Sequence, residues 1–370
     1  MDKIKVCFVS TFAYPLFDKR CKAGFGGAEV QLVELSKRLK DRFRVSFIVG
    51  DFGQGDKKEF NGIKIFRSFK PKRGIVNYAR IFFDFWKSFK NTKSDVYIQR
   101  STSYETFLTG LFCKIYKKKF IYMVAHDIDV NKDGLRKMFG PFVNFFFNRG
   151  LSFADLIICQ NRGQQKNLMK YKGRRDSIVM KKGIDVASKM SSKKNYALWV
   201  GRCVKWKQPE LFIELAKKIE NMDFLMICPQ GNDKKYFDSV KNKTNGIENL
   251  KFLDFVAKEQ INEHYSKAKV FVLTSRYEGD LPMTVLESLA VGTPIVSLNV
   301  NPDNVFKNKF GFYCKGDAIN MEKKIRFLSS TNKYEDYSKK SIKYMKENHD
   351  IGMIGKIFGD VIERLRWKRK

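Results

Sequence analysis

The segment SRYEGDLPMTVLESLAVGTPIVSL (275–298) carries two glutamates, Glu278 and Glu287, around a short Gly/Pro turn. An apolar run, VFVLTS (270–275), enters the turn, and a second, PIVSL (294–298), follows the helix-like stretch beyond it. Pro282 suits the first turn of that helix, where its missing N–H costs nothing. The amides of Met283, Thr284 and Val285 then lack intrahelical partners and can accept an anion. Glu287 lies about one turn further in, within reach of a neutral diol such as a ribose. Carboxylates for hydroxyls beside amides for phosphate would suit a sugar nucleotide. Glu287 as an ordinary helix-surface residue fits the same spacing.

Three further stretches place polar groups at strand ends. In VGRCVKWKQPELF (200–212), Arg202 and Lys207 leave a strand around one loop. An Arg fork and a Lys point charge there could converge on phosphate oxygens, although solvated surface cations would look alike. GFGGAEV (24–30) opens a helix, and Gly26 and Gly27 would let its backbone approach an anion or a sugar. It is no dinucleotide fingerprint, because more than a dozen residues separate it from the strand at 4–10. A loop folding over a substrate fits better. In MVAHDIDV (123–130), His126 and Asp127 end an apolar strand, where the imidazole could donate to a sugar hydroxyl or a developing oxyanion, or be a satisfied structural residue.

The elements that must position these residues alternate along the chain. Short apolar runs (4–10, 44–50, 63–68, 95–100, 120–125, 156–160, 177–181) interleave with amphipathic stretches, and the rhythm restarts at 197–201, 223–228, 250–255, 269–275 and 294–298. Such alternation predicts an α/β protein of two Rossmann-like, doubly wound parallel-sheet domains. The boundaries are an N-terminal domain over 1–185, a linker over 186–196, a C-terminal domain over 197–348, and a final helix over 349–370 packing back toward the first domain. Ligands of such sheets bind outside the carboxyl ends of the strands, which puts the expected site in a cleft between the two domains.

Seventy-two Lys and Arg against 39 Asp and Glu give a formal charge of +33. The excess is uneven: 38 basic against 17 acidic residues over 1–185, and 34 against 22 over the rest. Such a field favours an anionic partner, whether nucleic acid, an anionic membrane surface or a phosphorylated substrate. Basic and aromatic residues interleave at 69–93 and 137–150, which would suit an anionic membrane surface or simply packing against the sheet. Seven cysteines without CxxC spacing and three histidines argue against a metal site and for reduced thiols. No run approaches the roughly 20 apolar residues of a membrane span, and MDKIKVCFVS enters a strand at once. The expectation is a cytoplasmic protein, soluble or peripheral on the inner face of the membrane.

Taken in order, these motifs resemble those of the retaining GT-B glycosyltransferases of family 4, the group 1 family. GGAE, His126 after its strand, VMKKGID (179–185, with Lys182 where the family has Asn), VGRCVKWK, YEGDLPMTVLESLAVGTPIV and NPDNVFKNKFGFYC (301–314) all fall where the family has similar segments. The resemblance implies transfer of a sugar from a nucleoside diphosphate sugar to a glycan or lipid-linked acceptor, without metal or cofactor. It makes Arg202 and Lys207 the diphosphate cations, Glu287 the ribose ligand, and Glu278 and His126 the groups at the donor sugar. The gap between the glutamates is eight residues where the family has seven, with Asp280 or Leu281 as the extra one, which leaves open whether Asp280 shares the role of Glu278. Two rivals remain: a nucleic-acid-binding protein, disfavoured by the lack of any known module, and an inactive glycosyltransferase-like binder.

Overall fold

The computed structural model describes residues 3–71, 78–186, 195–330 and 334–367. The chain forms two compact units, Met1–Gly183 with Ile351–Lys370, and Ile184–Asp350. The expected linker, 186–196, falls mostly on 187–194, outside the described residues.

The first unit runs β1 (Lys5–Val9), α1 (Gly27–Leu39), β2 (Arg44–Val49), β3 (Lys57–Phe60), β4 (Ile63–Arg67), α2 (Tyr78–Thr92), β5 (Val96–Arg100), α3 (Tyr104–Ile115), β6 (Lys119–Met123), α4 (Gly134–Ser152), β7 (Leu156–Cys159), α5 (Arg162–Lys172) and β8 (Ser177–Val179). Its sheet has the order β3-β4-β2-β1-β5-β6-β7-β8. All pairings are parallel except β3 with β4. The central strands are buried on both faces, which is why they read as continuous apolar runs. The order reverses between β1 and β5, and the crevice outside their carboxyl ends is where this topology takes ligands.

The second unit runs β9 (Tyr196–Val200), α6 (Pro209–Lys218), β10 (Asp223–Ile227), α7 (Lys234–Asn242), β11 (Leu250–Leu253), α8 (Lys258–Lys267), β12 (Ala268–Leu273), α9 (Met283–Ala290), β13 (Ile295–Ser297), β14 (Gly311–Tyr313), α10 (Ala318–Ser330) and α11 (Tyr334–Asn348). Its all-parallel sheet has the order β11-β10-β9-β12-β13-β14, so the reversal lies between β9 and β12. The last helix, α12 (Ile351–Trp367), belongs to the first unit and packs on α1. Ile351, Ile354, Phe358, Ile362 and Leu365 recur at helical spacing and join the core beneath β1 and β2. Glycine at 355 and 359 allows the close approach: a Cβ at 355 would lie 2.8 Å from that of Arg38, and one at 359 would meet the Arg42 guanidinium. Arg42 pairs with Asp360 and Glu363 (both 2.9 Å), holding the two helices in register.

Candidate active site

In the second unit the loops leaving β9 and β12 are stitched together. The Trp199 indole donates to Thr274 Oγ1 (2.9 Å), and that hydroxyl donates to the Lys207 carbonyl (2.5 Å). The Arg276 amide donates to the Trp206 carbonyl (2.8 Å), and the Trp206 and Tyr277 rings stack 6.4 Å apart. Side-by-side pairing of β9 with β12 brings the two loops together, although they are some 70 residues apart in sequence.

Within this stitch the Lys207 ammonium donates to Glu278 Oε1 at 2.7 Å, and the Ser275 hydroxyl donates to the same oxygen at 2.8 Å. Both charged side chains are about 15% exposed (15% and 14%), so water screens the pair only partly. Arg202, on the loop after β9, is exposed and pairs with no carboxylate among the described residues. The Lys207–Glu278 pairing is absent from the sequence reading, which gave the cation to phosphate and the carboxylate to sugar.

Leu281 is buried at 2% exposure among Val285, Leu286 and Leu289, anchoring the turn to the core from its helix side. Asp280 instead lies close to Tyr344, whose hydroxyl is pushed up first by burial and then by the nearby charges of Asp280 and Asp303.

Pro282 occupies the cap position of α9 and not its first turn, with φ −65° and ψ 157°. From there its carbonyl accepts from the amides of Val285 (3.0 Å) and Leu286 (3.2 Å). Val285 therefore has no free amide for an anion, a correction to the expectation of three. The amides of Met283 and Thr284 have no partner among the described residues. The Thr284 hydroxyl is likewise buried without a hydrogen-bond partner. One turn on, Glu287 Oε2 accepts from the hydroxyl of Tyr265 on α8 at 2.8 Å. Tyr265 is fully buried, and burial, with Glu287 next to it, holds its phenol well above the usual range. The hydroxyl thus stays a fixed donor that orients the carboxylate.

The first unit presents its groups at the carboxyl edge of its own sheet. Gly26 caps α1, and its amide is taken by Glu29 Oε2 (2.8 Å), while Gly27 starts the helix. His126 follows β6 at the start of a single turn, Asp127–Asp129, and its Nδ1 accepts from the Ile128 amide at 3.5 Å. That assignment leaves the proton of a neutral ring on Nε2, as a donor. The turn is built around Asp129, which is 1% exposed. Its carboxylate accepts from the Thr102 hydroxyl (2.7 Å), the Tyr122 hydroxyl (3.0 Å) and the amides of Ala125 (3.0 Å) and His126 (3.2 Å). Gln160 donates to the Ala125 carbonyl (2.9 Å) and Gln164 to Asp127 Oδ1 (3.0 Å). His126 therefore stands on a fully bonded pedestal. The spacing His126-x-x-Asp129, that of a capping box, was the available signal for it.

One buried carboxyl lies at the sheet's own reversal. Glu105, in the first turn of α3, accepts from the Thr11 hydroxyl just after β1. Burial, aided by the charge of Glu29, raises its pKa to about 7, against the lowering effect of Thr11.

The sequence pattern described as "Glycosyltransferase Family 4" matches residues 25–188, and that described as "Glycosyl transferases group 1" matches 181–347. A Haemophilus influenzae protein named "Uncharacterized glycosyltransferase" is 28% identical over 144 residues, a match spanning 38% of this chain and 39% of that protein. Among solved structures, sucrose-phosphate synthase from Thermosynechococcus elongatus superposes with a TM-score of 0.79 at 15% identity, covering 98% of this chain and 99% of that one. Anabaena HepE in complex with UDP gives 0.73 at 15% identity, covering 98% and 100%, and its complex with UDP-glucose gives 0.71 at 16%, again covering 98% and 100%. At these identities the superpositions establish the GT-B fold and nothing finer.

Proposed function

The chain belongs to the group 1 glycosyltransferases, family 4, and from that premise we propose that it transfers a sugar, with retention, from a nucleoside diphosphate sugar to a hydroxyl of a glycan or lipid-linked glycan. The observation that carries the reading is the stitched pair of loops in the second unit, which holds Lys207 against Glu278 on the chain that leads into α9, with an exposed Arg202 on the β9 loop and amides at Met283 and Thr284 that have no partner among the described residues. Arg202, Lys207 and the amides of Met283 and Thr284 take the diphosphate. The buried Thr284 hydroxyl offers a further donor whose unmet bond costs about 1–3 kcal/mol in the free protein. Glu287, aimed by Tyr265, takes the ribose hydroxyls.

Chemistry then needs charge stabilisation more than a protein nucleophile. As the bond from the anomeric carbon to the phosphate oxygen breaks, negative charge grows on the diphosphate, where the two cations and the amides meet it without a metal. The acceptor oxygen attacks the same face, and its proton passes to the departing phosphate oxygen. Glu278 and the Nε2–H of His126 hold and polarise the donor sugar. Residues Gly26 and Gly27 bring backbone close to the substrate. The product is a cell-surface polysaccharide or glycolipid, made at the cytoplasmic side of the membrane.

A thermal-shift panel of UDP-, GDP- and ADP-sugars tests the reading. One nucleotide raises the melting temperature of the wild type, and neither Arg202→Ala nor Glu287→Ala responds to it. A panel in which no nucleotide stabilises the protein, or in which both variants respond as the wild type does, defeats the proposal.

A further inference from the structure

α4 exposes large apolar side chains in a way the core does not require. Met138 (56% exposed), Phe139 (50%), Phe142 (66%) and Phe145 (65%) lie within eight residues, while Leu135, Phe147 and Leu151 of the same helix are buried. A kink at Gly140 (φ 84°), followed by Pro141, divides the helix between Phe139 and Phe142. Phe146 supports the exposed rings, with centroids 4.6 Å from Phe142 and 5.4 Å from Phe145, and itself rests on Phe107 of α3 at 5.0 Å. The rings are thus braced outward. Arg136, Lys137 and Arg149 flank them, all exposed, and no acidic residue occurs from 134 to 154.

The place of this ridge bears on the chemistry. Gly134, where α4 begins, sits directly against Ile128: a Cβ there would come within 2.9 Å of its backbone. Ile128 belongs to the turn that carries His126. The ridge therefore starts four residues from a helix end that abuts Ile128, two positions along the chain from the candidate sugar-binding His126.

We propose that the Met138–Phe145 ridge is a membrane-docking surface, inserting its rings at the headgroup level of an anionic bilayer while Arg136, Lys137 and Arg149 meet lipid phosphates. The proposal rests on the glycosyltransferase reading for its purpose, which is to present a lipid-linked acceptor beside His126. Apolar insertion combined with basic charge is the pair of signals that reversible surface binding needs. A second copy of the chain fits worse, because a twofold contact would bring two exclusively basic rims together.

Co-sedimentation with vesicles tests it, using phosphatidylcholine alone and phosphatidylcholine mixed with phosphatidylglycerol. The wild type partitions onto the mixed vesicles and only weakly onto the neutral ones. Phe142→Ser with Phe145→Ser lowers partitioning onto the mixed vesicles at least about ten-fold, given the apolar area withdrawn. Arg136→Gln with Lys137→Gln lowers it by about five-fold per charge on mixed vesicles and leaves neutral vesicles unaffected. Thermal stabilisation by the preferred nucleotide stays at the wild-type value in both double variants, which also shows that they fold. Unchanged partitioning in either pair overturns the proposal. So does a concentration-dependent dimer that the Phe substitutions abolish in a protein with no vesicle binding. Loss of the nucleotide response in the wild type, with vesicle binding intact, would instead strike the glycosyltransferase reading alone.

Discussion

If the proposed site is right, Lys207 and Glu278 make opposite demands on a bound diphosphate, so substituting each in turn should move nucleotide affinity in opposite directions. In the free protein the ammonium is 2.7 Å from Glu278 Oε1, and both side chains are about 15% exposed (15% and 14%). A unit-charge pair 4 Å apart is worth about 1 kcal/mol in water and about 4 at an effective dielectric of ~20, and this pair lies between those limits. On the proposed reading a nucleoside diphosphate, with UDP as the probe, would share the ammonium with the carboxylate and bring its own negative charge close to it. Lys207→Met removes a charge-assisted bond of about 1.5–3 kcal/mol to phosphate, so UDP should bind roughly 10- to 100-fold more weakly. Glu278→Gln keeps an acceptor for the 2.8 Å bond from Ser275 but deletes the competing charge, so UDP should bind about five-fold more tightly. Transfer from the full nucleotide sugar should nevertheless fall by about 100-fold or more in Glu278→Gln, because the group proposed to polarise the sugar is lost. Isothermal titration with UDP, set beside initial rates with the nucleotide sugar, measures both quantities. If Glu278→Gln weakened UDP binding as much as Lys207→Met does, the pair would be a structural brace and not a phosphate-responsive contact.

Two further outcomes follow from buried partners. Tyr265→Phe keeps the ring but removes the 2.8 Å donor to Glu287, so UDP affinity measured by titration should drop about three- to ten-fold with little change in kcat, while a simple packing defect would lower both. Glu105 is protonated in the fold up to about pH 7 but ionises near its ordinary value of 4.5 when unfolded, so the stability it contributes is complete below about 4.5 and is lost as pH rises through about 7. Glu105→Gln should therefore flatten the fall in unfolding free energy across that window, by on the order of 3 kcal/mol at about pH 8 in urea titrations, and an unchanged slope would show the carboxyl to be better solvated than its burial implies.

The sequence disclosed what depends on local pattern and hid what depends on strand order. The central strands β1, β2, β5, β10 and β12 are buried on both faces, so their apolar runs stood out within a residue or two of the observed ends. β3 escaped notice because KKEF is a half-exposed edge strand with no apolar run, and α7 because KKYFDSVKN buries little beyond Phe237 and Val240. Of 69–93, Phe85 and Phe89 proved to be core, and residues 72–77 lie outside the described residues. The Lys207–Glu278 contact spans 71 positions and exists only because β12 pairs with β9. No reading of spacing along one chain gives that adjacency, and the same holds for Tyr265, whose reach to Glu287 depends on how α8 packs against α9.

The turn between the two glutamates shows the two kinds of information meeting. Counting residues raised the doubt whether an eight-residue gap could still deliver Glu278 and whether Asp280 would replace it. Ser275 at 1% and Leu281 at 2% exposure hold the turn at both ends, and the Ser275 hydroxyl donates to Glu278. Between those two points Arg276 and Tyr277 are exposed, while Asp280 is half-buried near Tyr344, so the loosest packing of the turn falls on the β12 side of Glu278. A smaller residue at 281 would therefore loosen the helix-side anchor of the turn that carries Glu278.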